Sequence, residues 1–314
     1  MTPYIIRRVL WLIPVLLVVS IVTFGLMHTA PGGPWDRDSD QKPLPAHIIA
    51  RLNKQFNLDK PIHEQYLLYM WGAVRGDLGP SYSQPGKNVG ELIADRIPYS
   101  ARLGVQALFL ALLVGLPLGV IAALRQNTWV DYLALFISTI GSAVPSFVLG
   151  IYLIIIFAVG FDLFPVAAQG EEAWRDPRAW VLPTIALAVG PAAYIARLTR
   201  SSILEILRQD YVRTARAKGL RENVVVVRHV LKNAMIPVWT VLGPITAGLI
   251  TGSFVIEQVF SVPGVGRFFV SAITQRDYSM IMGTTLFYAL MIALGNLIID
   301  VTYGLFDPRI KVSK

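Results

Sequence analysis

Six long apolar runs limit how this chain can fold more than any other feature of its sequence. A helix of roughly 20 apolar residues is needed to cross the hydrocarbon core of a bilayer, and each run approaches or exceeds that length. The runs cover residues 9–27, 99–124, 132–160, 181–198, 238–255 and 283–306. They predict an all-α polytopic membrane protein with six transmembrane helices, which places both termini on the same side of the membrane.

Composition supports a membrane protein rather than a soluble one. Hydrophobic residues make up 54% of the 314 positions and charged residues only 15%, whereas soluble domains carry roughly 25% charged residues. The chain has no cysteine. This excludes a disulfide scaffold, a thiolate metal site and a cysteine nucleophile.

Charge is distributed unevenly across the predicted topology. With six spans, the side that holds the two termini carries 15 Lys and Arg against 6 Asp and Glu, or +9, so the rest of the chain carries −1 of the net charge of +8. Positively charged residues accumulate on the cytoplasmic side of membrane proteins, so both termini are assigned to the cytoplasm. The excess charge is therefore a topology signal, and we expect the lipid bilayer, but no nucleic acid, among the partners.

The apolar runs divide the chain into four parts. Residues 1–30 are a cytoplasmic start and the first span, which is too long for a signal peptide and favours a retained helix. Residues 31–98 are an external insertion, with short helices predicted at 45–56 and 62–74. Residues 99–306 hold spans two to six, including a cytoplasmic loop at 199–237, and residues 307–314 are a cytoplasmic tail.

Glycine spacing predicts close helix packing in two spans. Gly115 and Gly119 stand four positions apart in the second span, with Pro117 between them, and Gly248 and Gly252 repeat this spacing in the fifth. Small residues at this spacing let helix backbones approach closely in membranes. Both pairs are therefore assigned to helix packing rather than to substrate contact.

The cytoplasmic loop is strongly basic and contains the pattern of a short helix. Asp210 is predicted to cap the start of this helix and to place a negative charge at its positive end. Lys218 stands in the predicted last turn. Gly219 follows, and it is predicted to end the helix in a left-handed conformation.

A second helix is predicted from Glu222 to about Ala234. Val and Leu side chains at 224–227, 230 and 231 give it an apolar side. Arg228 and Lys232 share another side, since residues four apart are neighbours on a helix.

Three interpretations of this loop follow from the residues alone. It is a solvated basic loop or an amphipathic helix on anionic lipid, a docking element for a soluble partner, or a nucleic-acid site. The neighbouring membrane spans argue against nucleic acid. The other two alternatives stay open at this point.

Motifs for catalysis, nucleotide binding and metal binding do not stand out. The P-loop pattern is absent, so an ATP-driven process would need another subunit as its ATPase. The four histidines lack metal-ligand spacing, and Gly264-Val265-Gly266 lacks the third glycine of a dinucleotide loop. Asp300, near the cytoplasmic end of the sixth span, suggests a proton relay. A structural pair with a neighbouring helix, or simple access to the membrane interface, is favoured for it.

Several stretches together resemble one family of membrane proteins. They are GDLGPSYS, ALRQNTWVDY, YVRTARAKGL, RHVLKNA, ITGSFVIEQVFSVPGVGRFF, RDYS and LFDPRI. In the basic loop, Arg213-Thr214-Ala215 stands where ABC importer permeases carry Glu-Ala-Ala, and Gly219 stands at the family's glycine. His229 and Leu231 stand at Ile and Leu of that pattern, and Lys232 replaces its Pro. The chain resembles the B-type permease subunit of oligopeptide and dipeptide ABC importers.

The resemblance implies a type I ABC importer transmembrane domain in the cell membrane that transports peptides, with oligopeptides favoured. It implies a second, C-type permease subunit, two ABC ATPase subunits that bind ATP and Mg, and an extracytoplasmic substrate-binding protein. It implies no catalytic residue, no metal site and no cofactor in this chain. The implied ATPase-coupling residues are Tyr211, Val212, Arg213, Thr214, Ala215, Arg216, Ala217, Lys218, Gly219 and Leu220.

Other functions were weighed against this one. Neighbouring branches of the same architecture import nickel, glycosides or opines. A self-contained secondary transporter would be expected to show inverted repeats or charged residues at mid-membrane, and neither is evident in the sequence. An intramembrane enzyme would need a catalytic constellation, which the sequence does not suggest.

Overall fold

The computed structural model describes residues 2–36, 44–166 and 172–306, and the side chains of 2–5, 9 and 299–306 are not described. Within these residues the chain is helical with short loops. The α-helices are α1 (Thr2–Thr29), α2 (Ala46–Gln55), α3 (Ile62–Val74), α4 (Val89–Leu124), α5 (Trp129–Ala143), α6 (Ser146–Leu153), α7 (Val181–Leu207), α8 (Asp210–Ala217), α9 (Glu222–Val224), α10 (Lys232–Ile250), α11 (Phe254–Val259), α12 (Val265–Thr274) and α13 (Tyr278–Phe306). Two π-helical segments, Ile154–Gly160 and Val225–Leu231, extend α6 and α9. Two 3₁₀ turns, Glu172–Arg175 and Pro177–Trp180, precede α7.

Five helical segments are long and apolar enough to cross a membrane. They begin or end beyond the predicted apolar runs: α4 begins at Val89, α7 ends at Leu207 and α13 begins at Tyr278. Helices α5 and α6 supply a sixth span if the bent pair is counted as one. The all-helical membrane fold that the apolar runs predicted is therefore confirmed.

The third predicted span, 132–160, is not one straight helix. Helices α5 and α6 meet at an angle of 98°. Val144 between them has an extended backbone, with φ −80° and ψ 120°. Proline disfavours the helical conformation of the residue before it and lacks an N–H donor, so Pro145 breaks the helix at Val144. The sequence placed Pro145 in mid-span but gave no angle.

Helices α4 and α7 form the most extensive helix contact among the described residues. A Cβ at Gly115 would lie 2.7 Å from the carbonyl oxygen of Ala192, and one at Gly119 would lie 2.5 Å from that of Ala196. Only glycine permits such an approach, so the predicted packing role of this first pair is confirmed. Apolar side chains around Leu103 and Ile195 fill the same interface.

The predicted packing role of the second glycine pair, Gly248 and Gly252, was wrong. Gly248 has no atom within 4 Å of a built Cβ, and Gly252 lies beyond the end of α10 with φ +96°. The predicted fifth span, 238–255, lies within the apolar helical stretch Glu222–Val259, but α10 ends at Ile250, five residues before the predicted end. Helix α4 instead approaches α10 closely at Gly104, where an added Cβ would overlap the backbone of Leu249.

The external insertion holds the two short helices that were predicted. Helices α2 and α3 agree with the predicted ranges 45–56 and 62–74 to within one residue at each end. Aromatic residues from the loops of the insertion meet beside these helices: the ring centroids of Trp35, Phe56 and Tyr82 lie 4.3 to 5.4 Å apart. This insertion packs on α1 and α13 through residues around Phe24, Tyr66 and Met282.

Candidate functional site: a basic helix between two spans

The N-cap of helix α8 lies one residue earlier than the sequence predicted. The N-cap is Gln209, which makes no side-chain hydrogen bond to the helix. The prediction that Asp210 caps the helix was therefore wrong. Asp210 is the first helical residue, and a carboxylate in the first turn still interacts favourably with the helix dipole. Its ion pair with Arg213, at 3.6 Å, is exposed and contributes little.

The end of α8 is a tight and well-defined turn. Gly219 has φ +76°, so the predicted left-handed conformation is confirmed. The N–H of Gly219 donates to the carbonyl of Arg216 at 2.9 Å, and that of Leu220 donates to the carbonyl of Ala215 at 3.4 Å. These two bonds form a Schellman motif, which satisfies carbonyls at the end of a helix.

Two side chains fasten α8 to the membrane helices. Val212 is fully buried and Ala215 is 6% exposed. They belong to one apolar cluster with Ile203 of α7 and with Val225 and Val230 of the following helical segment. This cluster lies under α8 and fixes its position relative to both flanking helices.

Tyr211 adds a polar link between α8 and the next helix. Its hydroxyl accepts from Asn233 Nδ2 at 2.9 Å and donates to the carbonyl oxygen of His229 at 3.4 Å. The same Asn233 nitrogen donates to His229 at 3.2 Å. The helix is thus held along one side by apolar contacts and at its start by this hydrogen-bond cluster.

The opposite side of α8 faces solvent. Of the predicted site residues, only Val212 and Ala215 are buried, and the other side chains from 211 to 220 are exposed. We call these exposed residues of 210–220 the coupling surface, after the role that the family resemblance predicts for them. It carries Arg213, Arg216 and Lys218 against the one acid Asp210, so it is cationic.

Arg216 spans the Schellman turn to reach Glu222. Its Nη2 lies 2.6 Å from Oε1 and its Nε lies 3.1 Å from Oε2, a two-pronged pair that is about half exposed. The hydrogen bonds to this carboxylate raise the pKa of the Arg216 guanidinium above its usual value. Sequence reasoning missed Glu222 as a partner, because a separation of six residues has no regular meaning until the turn between them is known.

The apolar side predicted for the second helix is only partly correct. Val225 and Val230 are fully buried, but Val227 is 61% exposed. The chain is π-helical from Val225 to Leu231, so residues five apart align, rather than three or four apart. The π segment had no signal in the sequence.

The insertion at 31–98 takes part in a second set of contacts, between motifs far apart in the sequence. Asp277 is fully buried, and its carboxylate accepts from Ser81 and from both the backbone and the side chain of Ser83. The stretches GDLGPSYS and RDYS are thereby joined. Burial raises the pKa of Tyr82, in the same loop, to about 12.

Two cavities border this external aromatic cluster. One, of about 230 Å³, is lined by residues that include His28, Phe56, Tyr69 and Tyr82. The other, of about 500 Å³, includes Trp35, Phe56 and Tyr82. The hydroxyl of Tyr69 is buried without a hydrogen-bond partner, and burial raises the pKa of this phenol.

Metal ligation has no support in the described part of the chain, where no group of three or more His, Asp or Glu side chains is placed to hold an ion. The side chain of Asp300 lies outside the described residues, so its predicted structural pairing stays a prediction.

The helical spans, with a solvent-facing basic helix between α7 and α10, define a multi-pass membrane protein. The chain belongs to the family described as the binding-protein-dependent transport system inner membrane component, which matches residues 115–312. The N-terminal component of the same system matches residues 1–104.

Similar proteins extend over the whole chain. The dipeptide transport system permease protein DppB of Bacillus subtilis is 44% identical over 314 residues, which cover 100% of this chain and 99% of that protein. The oligopeptide transport system permease protein OppB of Escherichia coli is 39% identical over 311 residues, which cover 99% and 100%. The fold is also found in an inward-facing structure of the MetNI methionine ABC transporter, with a TM-score of 0.57 and 18% identity over 69% of this chain and 96% of that chain. The predicted type I importer fold and multi-pass membrane location are therefore confirmed.

Proposed function

We propose that this chain is a permease subunit of an ATP-driven importer of peptides. The relatives DppB and OppB, which match it over their full lengths, are named as dipeptide and oligopeptide permeases. These names favour peptides over nickel, glycosides or opines. A self-contained secondary transporter is not favoured.

The partners proposed are a second, C-type permease subunit, two ABC ATPase subunits that bind ATP and Mg, and an extracytoplasmic substrate-binding protein. ATP hydrolysis belongs to the ATPase subunits, so this chain contributes transport rather than chemistry. The external insertion at 31–98 is the proposed contact of the binding protein, because it lies on the side opposite the coupling surface. Oligopeptides remain the favoured substrate within the peptide class.

The coupling surface is the proposed contact of an ATPase subunit. The single observation that carries this proposal is its anchoring: Val212 and Ala215 are buried under α8 while the opposite side is exposed and cationic. A helix that lay on lipid would present its apolar side outward. Here the apolar side is taken up by the protein itself, which leaves a polar, rigid surface for a soluble partner.

A rigid connection is needed as well as a contact. Helix α8 follows α7 after Arg208 and Gln209, and the turn at Gly219 leads into helical structure that continues to Ile250. The apolar cluster beneath α8 joins both flanking helices. A displacement of α8 by a partner would therefore move two membrane spans with it.

Gly219→Val tests this proposal. A side chain at Gly219 meets no atom within 4 Å, so the cost comes from the left-handed backbone and amounts to about 1–2 kcal/mol. The membrane fold should survive this, while the presentation of α8 changes. We expect normal insertion, but weak retention of the ATPase subunits or ATP hydrolysis that no longer drives uptake. Gly248→Val is the matched control, since Gly248 also has open space but no left-handed backbone.

Charge reversal separates two contributions of α8. Arg213→Glu changes the coupling surface at a side chain that is 71% exposed, whereas Arg216→Glu also breaks the pair with Glu222. Both should weaken ATPase retention, and Arg216→Glu should weaken it more. A lipid-facing loop would instead give a mild defect that depends on anionic lipid. Normal uptake and substrate-stimulated hydrolysis in the Gly219→Val complex would show that α8 is not the coupling element.

A further inference from the structure

Glu257 of α11 is a fully buried carboxylate that accepts a hydrogen bond at each of its two oxygens. Its Oε1 accepts from Ser100 Oγ at 2.7 Å, and its Oε2 accepts from the backbone N–H of Arg267 at 3.3 Å. Ser100 Oγ in turn accepts from the N–H of Val265 at 2.9 Å. The guanidinium of Arg267 donates to the carbonyl of Ser261 instead, so hydrogen bonds rather than an ion pair hold the buried group.

Three glycines make room for this carboxylate. A Cβ at Gly252, Gly264 or Gly266 would overlap the carboxylate oxygens of Glu257. Gly252 also has φ +96°, a conformation that side chains other than glycine rarely adopt. The sequence predicted helix packing for Gly252, and Gly264 and Gly266 belong to the Gly264-Val265-Gly266 stretch. The structure shows that all three surround one side chain.

The carboxylate lies where several elements meet. Ser100 belongs to α4, Gly252 follows the end of α10, and Val265 begins α12. Gly104 of α4 touches the backbone of α10 at Leu249, so the two helices are in direct contact beside Glu257. The group therefore joins α4, the end of α10 and the hairpin formed by α11 and α12.

The same helices lead to the coupling surface at their other ends. Helical structure from Glu222 to Ile250 extends roughly 40 Å at 1.5 Å per residue, from the turn after α8 to the Glu257 site. Helix α4 is packed along α7 through Gly115 and Gly119, and α7 leads into the start of α8. Helices α7 and α10, which flank α8, are thus connected to each other at the opposite side of the membrane. The connection to α7 runs through α4.

We propose that Glu257 is the positioning residue that joins the two helical paths from α8, one along α10 and one along α7 and α4. A displacement of α8 then carries the α11–α12 hairpin with it. The inference rests on the proposed function of α8 as the ATPase contact. Glu257 touches no substrate in this account. It acts by holding the hairpin at a fixed angle to α4 and α10 through Ser100 and the N-terminal N–H groups of α12.

A labelling experiment on the complete transporter in proteoliposomes tests the inference. The chain lacks native cysteine, and Gln275 at the end of α12 is exposed, so Gln275→Cys gives a single reporter on the hairpin. The rate of reaction with a membrane-impermeant maleimide is measured without nucleotide and with ATP plus vanadate. We expect this rate to differ between the two conditions in the otherwise unsubstituted chain.

Two substitutions should abolish that difference while the ATPase subunits stay bound. Ser100→Ala removes the hydroxyl between Glu257 and Val265 without adding volume, and Glu257→Gln replaces one acceptor oxygen by a donor, which leaves a neighbouring donor without a partner. Gly248→Ala is the control and should keep the difference. If Ser100→Ala and Glu257→Gln lower only thermal stability and the difference persists, Glu257 is structural and the proposal is overturned.

The outcome for α8 is read separately. If the reporter at Gln275 shows no nucleotide-dependent difference even without further substitution, the hairpin is not carried by the ATPase cycle and the present inference fails. ATPase retention in the Gly219→Val complex decides the proposed function of α8 on its own. Failure of one proposal is therefore distinguishable from failure of the other.

Discussion

Removal of the Asp277 carboxylate should detach the external insertion from α13. Oδ2 of Asp277 accepts from Ser81 Oγ at 2.5 Å, from the N–H groups of Tyr82 and Ser83 at 2.9 and 3.0 Å, and from Ser83 Oγ at 2.8 Å. Oδ1 accepts from the N–H of Met280 at 3.0 Å. One buried side chain thus satisfies a whole turn of the loop and the first turn of α13.

The magnitude follows from the donors that Asp277→Ala would leave without an acceptor. Each buried donor without a partner costs about 1–3 kcal/mol. The hydroxyls of Ser81 and Ser83 can rotate to other partners, and the N–H groups of Tyr82 and Ser83 are partly accessible to water. We therefore expect a loss of about 3–5 kcal/mol rather than the full sum over the donors.

Asp36→Ala is the matched control, because Asp36 forms an ion pair with Arg276, the residue directly before Asp277. Arg276 Nη1 lies 3.3 Å from Asp36 Oδ2, and the side chains of Arg276 and Asp36 are 39% and 62% exposed, respectively. Exposed pairs contribute about 0–1 kcal/mol. The two substitutions therefore remove a carboxylate from neighbouring positions of the same surface with very different expected costs.

The assay combines thermal unfolding with limited proteolysis of the complete transporter. Asp277→Ala should lower the unfolding temperature and speed cleavage between residues 44 and 88, with ATPase retention unchanged. Uptake should fall, because the insertion is the proposed contact of the binding protein. Equal effects of Asp36→Ala and Asp277→Ala, or a loss below about 1 kcal/mol for Asp277→Ala, would refute the reasoning from buried donors.

Two further predictions concern packing and topology. Gly119→Ala should destabilise the contact between α4 and α7 by about 1–3 kcal/mol, since its Cβ would lie 2.5 Å from a carbonyl oxygen; Gly25→Ala, with open space around it, should have little effect on the unfolding temperature, and equal effects would contradict the assigned packing. A cysteine at Glu172 should react with an impermeant maleimide in intact cells while one at Lys218 should not, and the reverse pattern would contradict the orientation.

The parts of the fold that sequence predicted well are those with local causes. The limits of α2 and α3 follow from apolar spacing within each helix, and the turn at Gly219 follows from a glycine after a basic last turn. The predicted site residues lie together on α8 because they are consecutive on one short helix. Which of them face inward was not predicted, since Val212 and Ala215 are buried by residues of α7 and of the segment that follows α8.

The parts that sequence reasoning missed depend on partners far along the chain or on irregular helices. Ser81 and Asp277 are 196 positions apart, and Ser100 and Glu257 are 157 apart. Nothing in the neighbourhood of either residue indicates its partner. Pro145 is a local cause of the break at Val144, but it does not determine the 98° angle, and the π segment from Val225 to Leu231 has no local signal. Apolar periodicity could therefore indicate helix at both places but not its path.

The two buried carboxylates divide the external side into two bodies with different attachments. Asp277 fixes the insertion to the start of α13, whereas Glu257 fixes the α11–α12 hairpin to α4 and to the end of α10. Helix α10 leads back to the coupling surface, but α13 does not contact α8 among the substantial helix contacts of the described residues. A motion that starts at α8 is therefore passed along α10 to the hairpin, whereas no single helix leads from α8 to α13, to which Asp277 fixes the insertion. This difference is why we assign the rigid link between α8 and the α11–α12 hairpin to Glu257 and expect Asp277 to contribute mainly to stability and to the shape of the external surface.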